Sequence, residues 1–350
     1  MAKVIVGMSG GVDSSVSAWL LKQAGHEVIG LFMKNWEEDG ICPAAADFED
    51  VSLVCKEIGI PYYTVNFAKE YQEQVFSDFL SESLSGRTPN PDILCNREIK
   101  FKVFYDKAME LGSDYLATGH YAQVGKEDGK ASLLRGNDAG KDQSYFLYAV
   151  RSEVLERVMF PIGHLPKSEV RRLALEAGLA TAKKKDSTGI CFVGKRDFRT
   201  FLSEHLKAVP GPFITPEGKV VGEHIGLPYY TIGQRKGLGL GGPGDAWFVA
   251  QKNLVANTVT VVQGEEHPLL YSDGLITLQP HWISGTPPSA FPYRCTAKVR
   301  YRQPDFPCEV HLLPDGGLNV QFDSPQRAVT PGQSIVFYQG PLCLGGAIIS

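Results

Sequence analysis

Lys3-Val4-Ile5-Val6-Gly7-Met8-Ser9-Gly10-Gly11-Val12-Asp13-Ser14-Ser15 is the stretch that sets the architecture. A short apolar run rich in β-branched residues reads as a buried strand. Val12 to Gln23 follows at helical spacing and stops at Ala24-Gly25. Between them, two glycines let the backbone approach a ligand closely and the turn exposes amide N–H groups. The helix start adds partial positive charge, and Ser9, Ser14 and Ser15 add hydroxyls, so the turn reads as an anion cradle. It is not a Walker loop, because no Gly-Lys-Ser/Thr follows, and it is not Gly-x-Gly-x-x-Gly.

Further along, strand and helix patterns keep alternating. Val28 to Met33, Tyr62 to Asn66 and Tyr115 to Thr118 read as strands, and Phe48 to Ile58, Tyr71 to Ser83 and the Ile99-Val103-Phe104-Ala108-Leu111 series as helices. That alternation implies right-handed crossovers and a doubly wound parallel sheet, an α/β fold with ligands at the carboxyl ends of the strands. Val154 to Phe160 and Lys167 to Ala177 read as further helices, the second capped near Ser168. From Val209 onward Gly and Pro become dense, and from Leu275 the pattern is all-β, with a hairpin around Pro314-Asp315-Gly316-Gly317. The expected division is a nucleotide-binding catalytic domain over 1–205, a small mixed or β central domain over 206–274, and a C-terminal β-barrel over 275–350.

Composition narrows the function classes. With 35 Lys+Arg against 39 Asp+Glu the net charge is −4, so a nucleic-acid partner must be held by local basic patches. No stretch approaches the roughly 18 unbroken apolar residues of a membrane span, and the N-terminus does not read as a signal peptide. A soluble, cytoplasmic protein is expected, with a monomer as default. Seven widely spaced cysteines without a Cys-x-x-Cys pair, and histidines without metal-type spacing, argue against a resident metal site.

Two cysteine segments stand out. In Asn90-Pro91-Asp92-Ile93-Leu94-Cys95-Asn96, Asn90 is a good N-cap and Pro91 fits the first helical position. Cys95 then lies near a helix start, which favours thiolate, with Asp92 three residues before it on the same face. In Asp186-Ser187-Thr188-Gly189-Ile190-Cys191, the thiol follows Lys183-Lys184-Lys185, whose charge also favours thiolate. Taken alone, either thiol could equally be a packed core residue. As a pair they suit sulfur transfer: one carries a persulfide and the other releases the delivered sulfur by forming a disulfide.

Together these segments resemble the tRNA-specific 2-thiouridylases, within the PP-loop ATP pyrophosphatases. The resemblance rests on Gly7 to Ser14, Asn90 to Asn96, Ala117-Thr118-Gly119-His120-Tyr121, Lys141-Asp142-Gln143-Ser144, Ser187 to Cys191 and Tyr230-Thr231-Ile232-Gly233-Gln234-Arg235. It implies ATP-dependent conversion of the 2-oxygen of a wobble uridine to sulfur, through an adenylated base. It also implies ATP contacts from Gly7, Met8, Ser9, Gly10, Gly11, Val12, Asp13, Ser14, Met33 and Gly119, with Mg²⁺ accompanying the nucleotide and Asp13 a candidate ligand. Asn90, Pro91 and Asp92 would meet the target base, Asp92 as acid or base. Cys191 would carry the persulfide and Cys95 would resolve it, leaving a disulfide. His120, Lys141, Asp142, Gln143, Arg300, Tyr301 and Gln333 would contact tRNA, and a persulfide-carrying protein would deliver sulfur.

The last strands supply a separate reading. In Cys295-Thr296-Ala297-Lys298-Val299-Arg300-Tyr301-Arg302, alternation puts Lys298, Arg300 and Arg302 on one face, a row suited to an RNA backbone or simply to water. Two rivals remain at this level. An amide-forming PP-loop enzyme explains the loop but gives the cysteines no task, and a non-catalytic nucleotide or RNA binder predicts no turnover of ATP.

Overall fold

The computed structural model describes residues 1–36, 45–186 and 197–350. Five parallel strands make the first sheet: β1 (Lys3–Met8), β2 (Glu27–Lys34), β3 (Tyr62–Asn66), β4 (Tyr115–Ala117) and β7 (Val158–Met159), in the order β3-β2-β1-β4-β7. Alternate side chains feed opposite cores. Ile5, Leu31 and Leu116 pack with the helical segments of residues 68–110, while Val4, Val6, Val28 and Ala117 pack with helix α1 (Val12–Gln23), helix α2 (Ala45–Ile58) and helix Lys167–Glu176. Both faces are therefore covered, as a parallel sheet requires. β1 and β4 are neighbours, and their carboxyl ends present Ser9 and Thr118 at one edge.

Two local readings change. Residues 154–160 are not one helix: a single turn, Ser152–Leu155, precedes β7, because Val158 and Met159 complete the sheet beside Leu116 and Ala117. The helix from Lys167 is preceded by Pro166 with no side-chain cap, so Ser168 lies inside its first turn.

Strands Gly211–Ile214, Val220–His224, Trp247–Asn253 and Thr258–Gln263 form the central four-stranded sheet. The C-terminal strands form an antiparallel barrel-like sheet. It does not stop at the C-terminal segment, because the hairpin β5 (Ala122–Glu127) and β6 (Lys130–Arg135) joins it through Leu134 beside Leu342 and Leu133 beside Cys343.

The cationic row on the last strands does not form. The strand ends at Lys298, and the chain turns through Arg302 at φ +65°. Lys298 is 12% exposed and pairs with Asp305 at 3.6 Å. Arg300 points inward and donates to the carbonyls of Ile232 (2.7 Å) and Ala328 (3.1 Å) and to Thr330 Oγ1 (3.1 Å). A half-buried guanidinium bonds three acceptors, and it ties the central domain to the C-terminal sheet.

Candidate functional site

The phosphate loop is shaped by two close approaches. Gly10 has φ +70°, and a Cβ there would lie 2.5 Å from the Asp47 carbonyl oxygen. Lys184 Nζ fixes the same contact by donating to Gly10 O (2.9 Å), Asp47 (2.7 Å) and Asp50 (2.6 Å). Gly11 precedes α1 with no side-chain cap, which leaves the amides of the first turn for a ligand. The hydroxyls divide differently from the expectation. Ser15 Oγ donates to Gly11 O at 2.8 Å and accepts from Thr181, fully buried, so it braces the loop from behind. Ser14 Oγ donates to Gly11 O and accepts from the Ser9 amide, and only Ser9 is exposed. Met8 and Val12 are buried on either side of the loop, while Met33, near the end of β2, is half-buried against the helical core.

Asp13 is held on both oxygens. Lys167 Nζ lies 2.7 and 2.8 Å from them, and Tyr121 Oη donates at 2.7 Å. Burial, together with the Asp13 charge, raises the Tyr121 phenol, so it stays a donor. Lys167 also reaches Asp186 at 2.9 Å, and Asp186 receives Lys141 and Arg171 at 2.7 Å each. Burial alone would raise the Asp186 carboxyl, but the hydrogen bonds and charges of Lys141 and Lys167 carry it down to about 2. A carboxylate depressed in this way stabilises the fold above its unfolded value near 3.8, and that contribution is lost as pH falls towards 2. Asp186→Asn is therefore expected to lower the melting temperature at pH 7 and to match the wild type near pH 2, as read by thermal melts across that range.

The Cys95 segment is built as its residues require. Asn90 Oδ1 accepts from the Asp92 amide at 3.2 Å, Pro91 opens the helix, and the following turns widen to π-type hydrogen bonding over Cys95–Val103. Cys95 is 1% exposed. Burial raises the Asp92 carboxyl above its ordinary value, offset in part by Lys100. Asn96, also buried, donates to Phe146 O at 2.9 Å.

Two consecutive residues join these halves. A Cβ at Gly119 would sit 2.7 Å from Ser14 N and 2.8 Å from Asp13 C. His120 packs its ring 5.8 Å from Phe101 in the Cys95 helix and bonds Thr118 Oγ1 at 2.8 Å. Burial, then Lys100, keeps the imidazole well below its usual range and so neutral. The end of β4 thus touches the phosphate loop with one residue and the thiol helix with the next.

Comparison with known proteins follows this geometry. The family model "tRNA methyl transferase HUP domain" matches residues 2–195, its PRC-barrel counterpart residues 199–263, and "Aminomethyltransferase beta-barrel domain" residues 272–349. A tRNA-specific 2-thiouridylase of Geobacillus kaustophilus is 59% identical, covering 99% of this chain and 94% of that protein. One from Yersinia pestis is 58% identical, covering 99% and 95%. The chain belongs to the tRNA-specific 2-thiouridylase family. A solved 4-thiouridine synthetase–RNA complex with bound ATP is 19% identical over 58% of this chain and 49% of that one, with a TM-score of 0.37, a likeness too slight to carry an argument.

The family's cysteine pair is only half visible: Cys191 lies outside the described residues. Lys184, one of the cations expected to favour its thiolate, is committed to Gly10, Asp47 and Asp50 instead. Of the residues expected at RNA, Tyr301 and Gln333 lie where the C-terminal sheet meets the first domain. Tyr301 packs 4.5 Å from Phe146, and Tyr145 Oη donates to Ser334 O at 2.8 Å. Gln333 Nε2 donates to Thr88 O at 2.7 Å, and Pro331 O accepts from the Thr88 amide, so this turn grips the chain two residues before Asn90. Gln143 accepts from the Tyr121 amide at 2.9 Å. Asp142 departs from the expectation of RNA contact. It is 6% exposed and its carboxylate serves the amides of Gly136 and Ser144 and the Ser144 hydroxyl, so it shapes the loop that carries Lys141 and Gln143. Arg300 likewise spends its donors inside the protein. Sequence reading missed Lys167 as part of the site, and it gave neither Tyr121 its place at Asp13 nor Lys184 its place at Gly10, because each acts across a long separation that no local pattern marks.

Proposed function

We propose that the chain is a tRNA-uridine 2-sulfurtransferase that thiolates the wobble uridine at the expense of ATP. The observation that carries this reading is the junction at the end of β4, where Gly119 abuts the phosphate loop and His120 abuts the helix of Asp92 and Cys95. In this reading one strand end serves both an activating anhydride, held at the loop, and the Cys95 thiol. Near-full-length identity to 2-thiouridylases supports the same substrate.

In the proposed sequence the uridine 2-oxygen attacks the α-phosphorus of ATP and diphosphate leaves. The terminal sulfur of a Cys191 persulfide then attacks C2, and AMP departs with the oxygen. The Cys95 thiolate attacks the Cys191 sulfur and releases 2-thiouridine, leaving a Cys95–Cys191 disulfide that an external dithiol reduces. Asn90 to Asp92 face the base in this scheme, and Asp92 takes or returns the proton. Loop amides near Gly10 to Asp13 bind phosphate, Met33 borders the adenine, and Lys141, Gln143, His120 and Tyr301 border the RNA.

Mg²⁺ arrives with the nucleotide in this reading. Among the described residues no group of three His, Cys, Asp or Glu could hold a metal, and Asp13 is the carboxylate beside the loop. One carboxylate plus phosphate oxygens is a usual Mg²⁺ set, so Asp13 fits once Lys167 yields an oxygen. The sulfur arrives from a persulfide-carrying protein, and the protein acts as a cytoplasmic monomer. No helix among the described residues is long and apolar enough to cross a membrane.

The deciding experiment is nucleoside mass analysis of tRNA after incubation with ATP, Mg²⁺ and a persulfide donor. A gain of 2-thiouridine with matching AMP is the expected result. Release of AMP with ammonia incorporated would support an amide-forming enzyme, and no ATP turnover a binding protein.

A further inference from the structure

A groove of about 430 Å³, lined by neither Cys95 nor a phosphate-loop residue, lies where the nucleotide-binding part meets the central domain. Its floor is Thr88-Pro89, which runs directly into Asn90. One wall is aromatic: Phe198 is 37% exposed with its ring 6.3 Å from that of buried Phe79, and Tyr229 is half-buried. The other wall is polar, with Thr231 and Gln234 from a motif that the thiolation chemistry leaves unused; the Gln234 amide is fixed by the Thr231 N–H and by Lys236 O, at 3.0 Å each, and keeps one N–H and one lone pair for a ligand.

The charges in this lining are matched. Arg87 is gripped by both oxygens of Glu82, at 2.6 and 2.7 Å. Arg199 donates to Gly237 O, and the carboxylate of Asp197 lines the groove beside it. A phosphate pocket needs cations in excess. An aromatic wall facing mixed donors and acceptors without net charge instead fits a nucleobase, which offers a π-face for stacking and a polar edge for reading.

We infer that this groove seats the unpaired base next to the target uridine, stacked on Phe198 and Tyr229 and read by Thr231 and Gln234. The inference rests on the thiolation reading above. It commits to a neighbouring nucleotide because the floor is continuous with the Asn90 segment, which brings the groove within one nucleotide's reach of a base held at Asn90. It also gives the groove a share in positioning. Gln333 and Pro331 hold the same Thr88 that forms the floor, so a seated base bears on the turn that carries Asn90 and Asp92.

The test uses synthetic anticodon stem–loops, intact or with an abasic site on the 5′ or the 3′ side of the target uridine. 2-Thiouridine formation is followed with the full chain, ATP and a persulfide donor. Phe198→Ala is expected to lower kcat/KM for the intact stem–loop about tenfold, as loss of one base stack does, with the KM for ATP unchanged. On one of the two abasic substrates, wild type and variant should become equal. A Phe198→Ala effect that persists undiminished on both abasic substrates, or no effect on the intact one, overturns the inference. Should Phe198→Ala melt early, Tyr229→Leu and Tyr229→Phe serve the same comparison: leucine should lose the abasic sensitivity and phenylalanine keep it, and equal behaviour of the two overturns the inference. If the wild type makes no 2-thiouridine on the intact stem–loop, the thiolation reading itself fails.

Discussion

In the absence of a reductant, Cys95→Ser is expected to abolish 2-thiouridine formation while ATP binds as before, and dithiothreitol should release 2-thiouridine from the stalled adduct. Serine matches cysteine in shape, and Cys95 sits 1% exposed in the helical core, so the substitution removes a nucleophile with little change of packing. Burying the new hydroxyl costs roughly 1–3 kcal/mol if it finds no partner, and Cys95→Ala separates that cost from chemistry. The earlier steps of the proposed sequence need no thiol at 95. Single-turnover reactions with Cys95→Ser should therefore release diphosphate and AMP and then stall, with tRNA attached to Cys191 through a disulfide that a reductant cleaves. A gel shift of labelled tRNA, reversed by dithiothreitol, reports that adduct. Wild-type yields of 2-thiouridine from Cys95→Ser without a reductant would remove this residue from the reaction.

Gly119→Ala carries the second large effect. The added methyl group meets two backbone atoms, Ser14 N at 2.7 Å and Asp13 C at 2.8 Å, and neither can swing away as a side-chain tip can. Relief requires the start of α1 to move off the end of β4. Overpacking of this kind costs roughly 1–3 kcal/mol. Here the displaced atoms belong to the phosphate-binding turn, so much of that cost appears in nucleotide affinity. Titration calorimetry should show ATP binding weakened by about tenfold or more, at roughly 1.4 kcal/mol per tenfold. An unchanged ATP affinity in a folded Gly119→Ala protein would mean that the loop tolerates the shift.

Much of this is legible in the sequence where local chemistry dictates it. The parallel sheet follows from short apolar runs separated by helical periods, and the Asn90 cap with Pro91 announces the thiol helix before any coordinate is seen. Local reading fails where a distant partner decides. Ala122 to Glu127 has weak alternation of its own and becomes a strand only through β6, which in turn needs Leu342 and Cys343. Asp142 lies in a polar stretch, yet the amides of Gly136 and Ser144 require an acceptor and draw it inward. Alternation placed Arg300 outside with Lys298. The strand ends at Lys298 instead, and the Ile232, Ala328 and Thr330 acceptors claim the guanidinium. The Asp13–Lys167–Asp186 chain escaped for the same reason, since its first link alone, Asp13 to Lys167, spans 154 residues.

The splice of β6 into the C-terminal sheet has a consequence for biosynthesis. Leu134 leaves the ribosome 208 positions ahead of its partner Leu342. At ~5–20 residues per second that interval is roughly 10–40 s. Throughout it the nascent chain carries a hairpin edge with open backbone donors and acceptors, a ready template for mispairing with a neighbouring chain. Completion of the last strands ends that exposure, so a stop codon placed between Arg135 and Leu342 would yield a product prone to aggregate rather than a smaller working enzyme.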